Sequence, residues 1–549
     1  PDGGYLEISQ GYNEGDYTIK KNIPAFLQSI YPEIADEIDL SKSNLYFERL
    51  TQIYTSPTGI MSAYGNSYVT GSKAFWKNEI EAANIAEAMS PLLNNKYTSA
   101  YLPYSGYGSM RSGWDINAHF LSFFNYSKRN QRHGFTGTNA VLNLTAYKRP
   151  LIQSGGVPYY SKDAPGTAAT ELYEKYNEIN SYFQEKSTRK LSTVMVNGKS
   201  QADLHYIFNP DGSFSNTNQW GTSLTAVDNI ILNSRWLSSN SFDFAEGKWE
   251  GGYSVRDREP ALIEIQYKEP GADTRDATHD RKLIYIKEAG LFIVTDEMEN
   301  TITHPNEYTQ IWNFPGYEVG NTYLTGFKNE DVVVNFQNNE VYTKDSLGAN
   351  LFIYCFSNNV LNFKKYYGYY EKDKAGLGWT RGGSNIQMGT YFPSVDLHVE
   401  WNDNNNGDIT QLVTLLAPSE NTSSPIISKR ALSDNLRGIT GFEILTANGC
   451  TITFYSSPTV ESFHYGNINI SAKSFLAVEA DGQPIKGIVL DCSGILLNGQ
   501  EQNILFDSFE FEYEQNNFII KNKIAVPEKF EWLDIDDGYI PIYSENIEN

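Results

Sequence analysis

The sequence predicts an α+β protein of several domains, with helices at its start and large antiparallel sheets after them. Its 549 residues exceed what a single hydrophobic core usually serves. Residues 16–100 place apolar side chains at spacings of three and four, which is typical of helices. After about Tyr101 the chain changes to short alternating segments separated by Gly, Asn and Asp. Helices followed by a long run of strands favour segregated α and β domains over βαβ units.

The helical prediction rests on two segments of the first domain, residues 1–100. These are "NIPAFLQSIYPEIADEIDL" (22–40) and "SKAFWKNEIEAANIAEAMSPLL" (72–93), in which Pro marks starts and breaks. A further helical pattern, "AATELYEKYNEINSYFQEK" (168–186), interrupts the strands.

The strand prediction rests on segments whose apolar residues alternate and whose ends carry turn residues. They are "KLIYIKEAGLFIVTDEM" (282–298), "DVVVNFQ" (331–337), "NLFIYCFS" (350–357), "TITFYSS" (451–457) and "FEFEYEQNNFIIKNKIAV" (509–526). We assign them to two β domains, residues 101–430 and 431–549. No motif indicates a function for the second of these domains.

Composition excludes several classes of function. A formal net charge of −23 argues against nucleic-acid or anionic-membrane binding, because neutralising phosphates needs a basic face. No apolar stretch is long enough to span a bilayer. P-loop, Rossmann, HExxH and GxSxG motifs are absent. The three cysteines have no CxxC spacing and are expected to be buried apolar residues, and the run "NDNNNGD" (402–408) favours a polar turn over a calcium loop.

One short stretch reverses the acidic character of the chain. "SKRNQRHGFTGTN" (127–139) places Lys128, Arg129, Arg132 and His133 close together before a Gly-rich turn. The strand-like "AVLNLTAY" then leads to Lys148 and Arg149. Side chains on this turn could bind a common anion, or the stretch could be a solvated basic loop that balances nearby acids; the residues alone leave both open.

A family resemblance starts from this region. "MRSGWDINAHFLSFFNYSKRNQRHGFTGTNAVLNLTAYKRPLIQSGGVPYY" (110–160) resembles the heparinase II/III-like polysaccharide lyases. Further segments keep the family's order: "PDGGYLEISQGYN" (1–13), "STVMVNGKSQ" (192–201), "FAEGKWEGGYS" (244–254) and "HDRKLIYIKEAGLFIVTDEM" (279–298). The resemblance covers about residues 1–420.

The resemblance implies the C-terminal part of an (α/α) toroid followed by large antiparallel β-sandwich sheets, and cleavage of a uronic-acid polysaccharide, such as alginate or a glycosaminoglycan, by β-elimination. That reaction needs groups that neutralise the uronate carboxylate, a base for the C5 proton and an acid for the leaving oxygen. The resemblance puts Tyr12 at the catalytic tyrosine, His133 at the histidine facing the uronate, and Tyr159 or its neighbour Tyr160 near a second active-site tyrosine. The predicted anion-binding residues are Lys128, Arg129, Arg132 and Arg149.

The chain departs from the family in two ways. Positions that hold zinc in many members are Phe135, Gln153 and Leu191 here, none of them a plausible ligand, so we expect no zinc at that site and no cofactor. The family's toroid also contributes an Asn or His well before the catalytic tyrosine, whereas this sequence starts shortly before Tyr12. We therefore expect a preceding segment, or another chain, to complete the toroid.

The predicted function is that of a bacterial polysaccharide lyase that is secreted, periplasmic or on the cell surface, with an anionic polysaccharide as its partner. Two alternatives stay open at this point. One is a non-catalytic carbohydrate-binding β protein; the other is a glycoside hydrolase that uses paired carboxylates, which the 66 Asp and Glu residues do not exclude.

Overall fold

The structure is a computed structural model in which the chain is mainly antiparallel β-sheet. It describes residues 48–49, 51–62, 70–71, 79–93, 98–102, 106–125, 137–154, 188–201, 234–250, 252–254, 273–274, 276–316, 326–368, 377–381, 391–403, 407–502, 504, 506–515, 517–524, 531–535 and 538–542. No helix in this described part is long and apolar enough to span a bilayer.

The elements before residue 202 are short strands and one helix of 15 residues. They are β1 (Ile60–Met61), β2 (Thr70–Gly71), α1 (Glu79–Leu93), β3 (Ala100–Leu102), β4 (Tyr107–Arg111), β5 (Phe120–Phe124), β6 (Ala140–Ala146), β7 (Arg149–Gln153), a 3-10 turn (Thr188–Lys190), β8 (Val194–Val196) and β9 (Ser200–Gln201).

The elements of the middle region are strands and two 3-10 turns. They are β10 (Trp236–Ser238), β11 (Phe242–Trp249), β12 (Tyr253–Ser254), β13 (Asp273–Thr274), β14 (Ala277–Ile286), β15 (Leu291–Asn300), β16 (Glu307–Asn313), a turn (Asn329–Asp331), β17 (Val332–Asn335), a turn (Phe336–Asn338), β18 (Glu340–Thr343), β19 (Asn350–Ser357), β20 (Asn362–Tyr367), β21 (Trp379–Arg381), β22 (Tyr391–Pro393), β23 (Val395–Asn402) and β24 (Ile409–Ser419).

The last region has strands alone among its described elements. They are β25 (Ile426–Asp434), β26 (Ile439–Thr446), β27 (Thr451–Tyr465), β28 (Ile468–Glu479), β29 (Ile485–Leu490), β30 (Gly494–Leu497), β31 (Gln500–Glu501), β32 (Phe509–Glu514), β33 (Asn517–Lys523), β34 (Glu531–Ile535) and β35 (Gly538–Ile542).

Four sheets form the body of the protein, and all their pairings are antiparallel. An eight-stranded sheet has the order β10-β11-β14-β15-β24-β19-β18-β17. A five-stranded sheet, β3 to β7 in sequence order, and a four-stranded sheet, β20-β23-β16-β8, lie on one side of it. A nine-stranded sheet from β25 to β33 lies on the other side. The antiparallel β-sandwich that the sequence predicts is thus confirmed.

The eight-stranded sheet is buried on both faces, and alternation along its strands supplies two cores. In β14, Leu283 and Tyr285 belong to the core shared with the five- and four-stranded sheets, whereas Ile284 and Ile286 face the nine-stranded sheet. Successive side chains of a strand point to opposite faces, so continuous apolar runs are what a doubly covered sheet requires. The β14–β15 hairpin closes through Gly290, whose φ of +67° favours glycine.

Only part of the predicted helical domain lies in the described residues. The segment 72–93 contains α1, whose buried residues Ala82, Ile85 and Ala86 keep the helical spacing. The segments 22–40 and 168–186 lie outside the described residues, so the toroid stays a prediction. The described start of the chain is joined to β4 by Arg111 of "MRSGWD", which donates to the carbonyls of Gln52 and Thr55 at 2.9 and 2.6 Å.

The chain passes from the eight-stranded to the nine-stranded sheet between Ser419 and Ile426, so the predicted boundary at residue 430 falls within β25. All three cysteines are unpaired; Cys355 and Cys450 are buried, as expected, and Cys492 is half-buried.

Candidate functional site

Most predicted site residues lie outside the described residues, and their roles stay predictions. They are Tyr12, Lys128, Arg129, Arg132, His133, Tyr159 and Tyr160. The structure nevertheless describes where the segments that carry all but Tyr12 begin and end. It also describes Arg149.

Arg149 opens β7, and its side chain is only 9% exposed. The guanidinium forms an ion pair with Asp345 at 2.7 Å and donates to the carbonyls of Ala349 and Gly326 at 3.1 and 2.7 Å. Its carbon lies 4.1 Å from the ring centroid of Phe327. These contacts give Arg149 a structural role, and its placement does not support the role in holding carboxylates or sulfates that we predicted for it.

The residues on either side of the basic segment, residues 126–136, contact the same glycine, Gly247. Asn125 directly precedes the segment, Asn139 follows it after Gly137 and Thr138, and both pack against Gly247 of β11. A Cβ atom at Gly247 would stand 2.5 Å from Oδ1 of Asn139 and 2.8 Å from Cβ of Asn125. The Asn139 amide also donates to the carbonyls of Gly247 and His279 at 2.8 and 3.1 Å. The absence of a side chain at Gly247 therefore lets both ends of the segment meet on the eight-stranded sheet.

Gln201 joins the end of the basic segment to a second segment. Its Oε1 accepts the backbone N–H of Thr138 at 2.6 Å, and its own N–H donates to Oγ1 of Thr188 at 2.9 Å. A Cβ atom at Gly137 would lie 3.0 Å from Oε1 of Gln201 and 3.2 Å from Oγ1 of Thr188. We call Gly137, Thr138, Thr188 and Gln201 the anchor.

Several undescribed segments start or finish at the anchor or beside it. Thr188 follows the segment 155–187, which carries Tyr159 and Tyr160, and Gln201 precedes 202–233. β12, which precedes 255–272, pairs with β9. The segments that carry His133 and Tyr159, the predicted catalytic residues, therefore each have one end at the anchor.

A buried polar network lies beneath the anchor. Nε2 of Gln201 is 3.5 Å from Nδ1 of His279, whose Nε2 is 2.7 Å from Oδ1 of Asp296. Arg281 holds the same carboxylate with two hydrogen bonds, Nε to Oδ1 at 2.6 Å and Nη2 to Oδ2 at 2.9 Å. Gln310 donates to Oδ2 at 2.6 Å. Two parallel bonds from one guanidinium are among the stronger pairings that a buried carboxylate can have.

Electrostatics fix the charge state of this network. Burial lowers the pKa of His279 and outweighs its hydrogen bond to Asp296, so the imidazole is neutral. Burial would raise the pKa of Asp296, but the Arg281 guanidinium and the His279 bond hold it well below its usual range. A neutral His279 that donates from Nε2 to Asp296 leaves Nδ1 to accept from Gln201, an assignment inferred from the hydrogen-bond network. Each donor then meets an acceptor from Asp296 to Thr138.

The network orients the site and does not contact a polymer, because the side chains of His279, Arg281 and Asp296 are 0% exposed. What it does chemically is fix the amide of Gln201, and through it the end of the basic segment.

The positions that correspond to zinc ligands in the family are partly described. Gln153 is buried and accepts a hydrogen bond from Asn143 at 2.7 Å, and Leu191 belongs to an apolar cluster with Ile53 and Tyr54. Phe135 lies outside the described residues. Within those residues no group of three or more His, Cys, Asp or Glu side chains is placed to hold a metal ion. The expectation of no zinc stays a prediction.

Sequence reasoning did not assign roles to Gln201, Gly247, His279 or Asp296. All four lie in segments that carry the family resemblance, "STVMVNGKSQ", "FAEGKWEGGYS" and "HDRKLIYIKEAGLFIVTDEM". The signal that could have identified His279 and Asp296 was the presence of polar residues at the alternate positions of this strand pair that otherwise carry apolar core residues such as Leu283, Val294 and Met298.

Three solved structures have folds similar to this chain. The heparan sulfate lyase HepC from Pedobacter heparinus, in a mutant form, matches with a TM-score of 0.51 and 16% identity over 81% of this chain and 57% of that chain. A heparinase III, the BT4657 gene product, matches with a TM-score of 0.50 and 13% identity over 93% and 59% of the two chains. Another heparinase III matches with a TM-score of 0.50 and 12% identity over 83% and 60%.

These matches show that the fold is heparinase-like, in agreement with the β-sandwich part of the resemblance. The chain spans 57% to 60% of the lengths of these three proteins. No protein-family model matches the sequence, and no curated protein matches it either.

Proposed function

We propose that this protein is a polysaccharide lyase that cleaves a uronic-acid-containing anionic polysaccharide, alginate or a glycosaminoglycan, by β-elimination. One observation carries the proposal: the segments with the predicted residues His133 and Tyr159 are attached to a single anchor on a heparinase-like fold. Segments that leave one point of a rigid sheet can bring their side chains to one substrate.

The reaction divides into steps that the predicted residues can perform. Cations of the basic segment, with His133, neutralise the uronate carboxylate and make the C5 proton acidic. Tyr12 or His133 takes that proton, the freed electron pair forms the C4=C5 double bond, and the bond from C4 to the leaving oxygen breaks. Tyr12 gives a proton to that oxygen. Nearby positive charge lets tyrosine serve at working pH, because it favours the phenolate form.

The location and partners follow from the substrate. A polymer of this kind is met outside the cytoplasm, so the proposed location is secreted, periplasmic or at the surface of a bacterial cell. A preceding segment or another chain that completes the toroid belongs to the same proposal.

The test is a screen of alginate and glycosaminoglycans with the full chain, read by product mass and by the ultraviolet absorbance of the new double bond. Lyase action predicts unsaturated products; a hydrolase predicts saturated products heavier by one water, and a binding protein predicts none. Tyr12→Phe is expected to abolish product formation, and Tyr17→Phe, which changes a tyrosine without an assigned role, is the matched control. Unsaturated product at the wild-type rate from Tyr12→Phe would contradict the assignment of Tyr12.

A further inference from the structure

The four-stranded sheet has a polar outer face. In β23, Leu397, Val399 and Trp401 point into the core, so His398 and Glu400 lie on the opposite face. The same reasoning applies to its neighbours, because Phe363 of β20 and Tyr308 and Trp312 of β16 also belong to that core.

Residues from three elements meet around His398 on this outer face. His398 stands in register between Lys364 of β20 and Ile311 of β16. The rings of Tyr366 and His398 make an edge contact, with centroids 4.8 Å apart. Arg189, in the turn Thr188–Lys190, is tied to the same face because its carbonyl accepts the Asn313 amide at 3.1 Å.

The His398 ring is buried, and one of its nitrogens lacks a hydrogen-bond partner among the described residues. The residue is 7% exposed, and within the described part of the chain Nε2 has no hydrogen-bond partner. Buried polar atoms in folded proteins are nearly always paired, so an unpaired ring nitrogen requires an explanation. Lys364 beside it is 46% exposed and bonds Glu400 at 2.7 Å, which opens the cluster to solvent on this side.

The charges around the ring favour an anion. Burial, together with the positive charges of Arg189 and Lys364, lowers the pKa of His398 to about 3. The same positive potential attracts a carboxylate or a sulfate. Two acidic groups on this face already have donors: Glu400 is engaged by Lys364 and by the Asn362 amide at 3.0 Å, and Asp396 accepts from the Asn313 amide at 2.9 Å and from the backbone N–H of Gly378 at 2.6 Å.

We propose that His398, Lys364 and Arg189 form a binding site for a carboxylate or sulfate group of an acidic saccharide, with the Tyr366 ring at its side. His398 donates from Nε2 to the anion, and Lys364 turns from Glu400 toward it. Arg189 directly follows Thr188 of the anchor, which places the site beside the segments that carry the predicted catalytic residues. Its use as a subsite for the polymer rests on the proposed function; its binding of an anion does not.

The first test uses sodium sulfate as the probe. The His398 ring signals are followed by NMR, assigned with His398→Gln, in sodium sulfate and in sodium chloride of equal ionic strength. The site predicts a saturable shift in sulfate alone and a rise in the pKa of His398, because a bound anion favours the imidazolium. Lys364→Gln is expected to weaken sulfate binding about tenfold, as the loss of one charge-assisted hydrogen bond would. No saturable shift in sulfate would overturn the proposal.

The matched control is Lys521→Gln. Lys521 forms an ion pair with Glu512 at 2.6 Å, with 39% exposure, between two strands of the nine-stranded sheet. The Lys521–Glu512 pair resembles the Lys364–Glu400 pair but lies in a different sheet from His398. The loss of Lys521 is therefore expected to leave the His398 signals unchanged. An equal effect of both variants would show general attraction of anions and would also overturn the site.

The second test separates the site from the reaction. With alginate oligomers, Lys364→Gln is expected to raise KM about tenfold with little change in kcat, as uniform binding energy is lost. A sulfate response without any unsaturated product would uphold the site and contradict the lyase. Unsaturated product with an unchanged KM in Lys364→Gln would uphold the lyase and overturn the use of the site by the polymer.

Discussion

Two buried histidines of the β region differ in how many of their ring nitrogens have hydrogen-bond partners among the described residues. His279 lies on the face of the eight-stranded sheet that forms the inner core, with Asp296 and Gln201 on its two ring nitrogens. His398 lies on the outer face of the four-stranded sheet, and its Nε2 has no hydrogen-bond partner among the described residues. Burial lowers the pKa of both.

The difference separates two kinds of polar residue in the interior. The His279 network includes the Arg281–Asp296 ion pair, and its hydrogen-bond donors have acceptors. It therefore acts as a structural support for the anchor. The His398 cluster leaves a ring atom open beside a solvent-reaching cation, which is how a site for a ligand differs from a completed structural element.

Removal of the carboxylate is expected to have the largest effect on the His279 side. Asp296→Asn keeps the shape but leaves Arg281 buried without its counterion, which typically lowers the free energy of unfolding by about 3–5 kcal/mol. Urea unfolding measures it. Glu512→Gln, which removes an acid from the surface pair with Lys521, is expected to cost less than about 1 kcal/mol. Similar losses in both variants would mean that the network gives no special support.

Arg149 is predicted to behave like the His279 network and unlike the cations of a ligand site. Arg149→Met removes the ion pair with Asp345 and the bonds to two carbonyls, so we expect a loss of about 2–3 kcal/mol in unfolding free energy. KM for an acidic polysaccharide should not change. Lys148→Met, at the exposed neighbour, is the control and should stay within about 0.5 kcal/mol. A raised KM at full stability would restore the substrate role that we first predicted for Arg149.

Gly247→Ala tests the support of the basic segment from the eight-stranded sheet. The added methyl group would meet Asn139 and Asn125 at 2.5 and 2.8 Å, so we expect a loss of about 1–3 kcal/mol, together with reduced activity on acidic polysaccharides. Gly494→Ala is the control: an added Cβ there meets no described atom within 4 Å, and a change within about 0.5 kcal/mol is expected. If Gly247→Ala is as harmless as its control, the two ends do not depend on that close approach.

The last expected effect is a pH dependence on the His398 side. Its pKa in the folded protein, about 3, lies below the ordinary value of 6.5, so the unfolded chain takes up the proton first as the pH falls. The contribution of His398 to the free energy of unfolding is therefore fully present above about pH 6.5. It declines below that pH, by about 2 kcal/mol between pH 7 and pH 5.

His398→Gln should remove that part of the acid decline, measured by urea unfolding across the same pH range. His464→Gln, which replaces an exposed histidine of the nine-stranded sheet, should keep the wild-type decline. An undiminished decline in His398→Gln would show that the ring is not held neutral in the folded protein.

Local patterns in the sequence predicted the strands well because the periodicity and the turn residues agree there. The hairpin of β14 and β15 and the helix α1 were anticipated in this way. The anchor was not, since the Thr138–Gln201 contact joins residues 63 positions apart and the Asn139–Gly247 contact joins residues 108 positions apart. The same reason applies to Arg149: its charge suggested a ligand, and the sequence could not show its ion pair with Asp345, which lies 196 positions away.

The central claim is that the segments attached to the anchor work together as a lyase site. The most direct measurement is the mass and ultraviolet absorbance of products formed from acidic polysaccharides by the full chain, with Gln201→Leu beside the wild type. The account predicts unsaturated products from the wild type and a lower kcat in Gln201→Leu, because the end of the basic segment loses its hydrogen bond. Saturated products, or none from any uronate polymer, would contradict it.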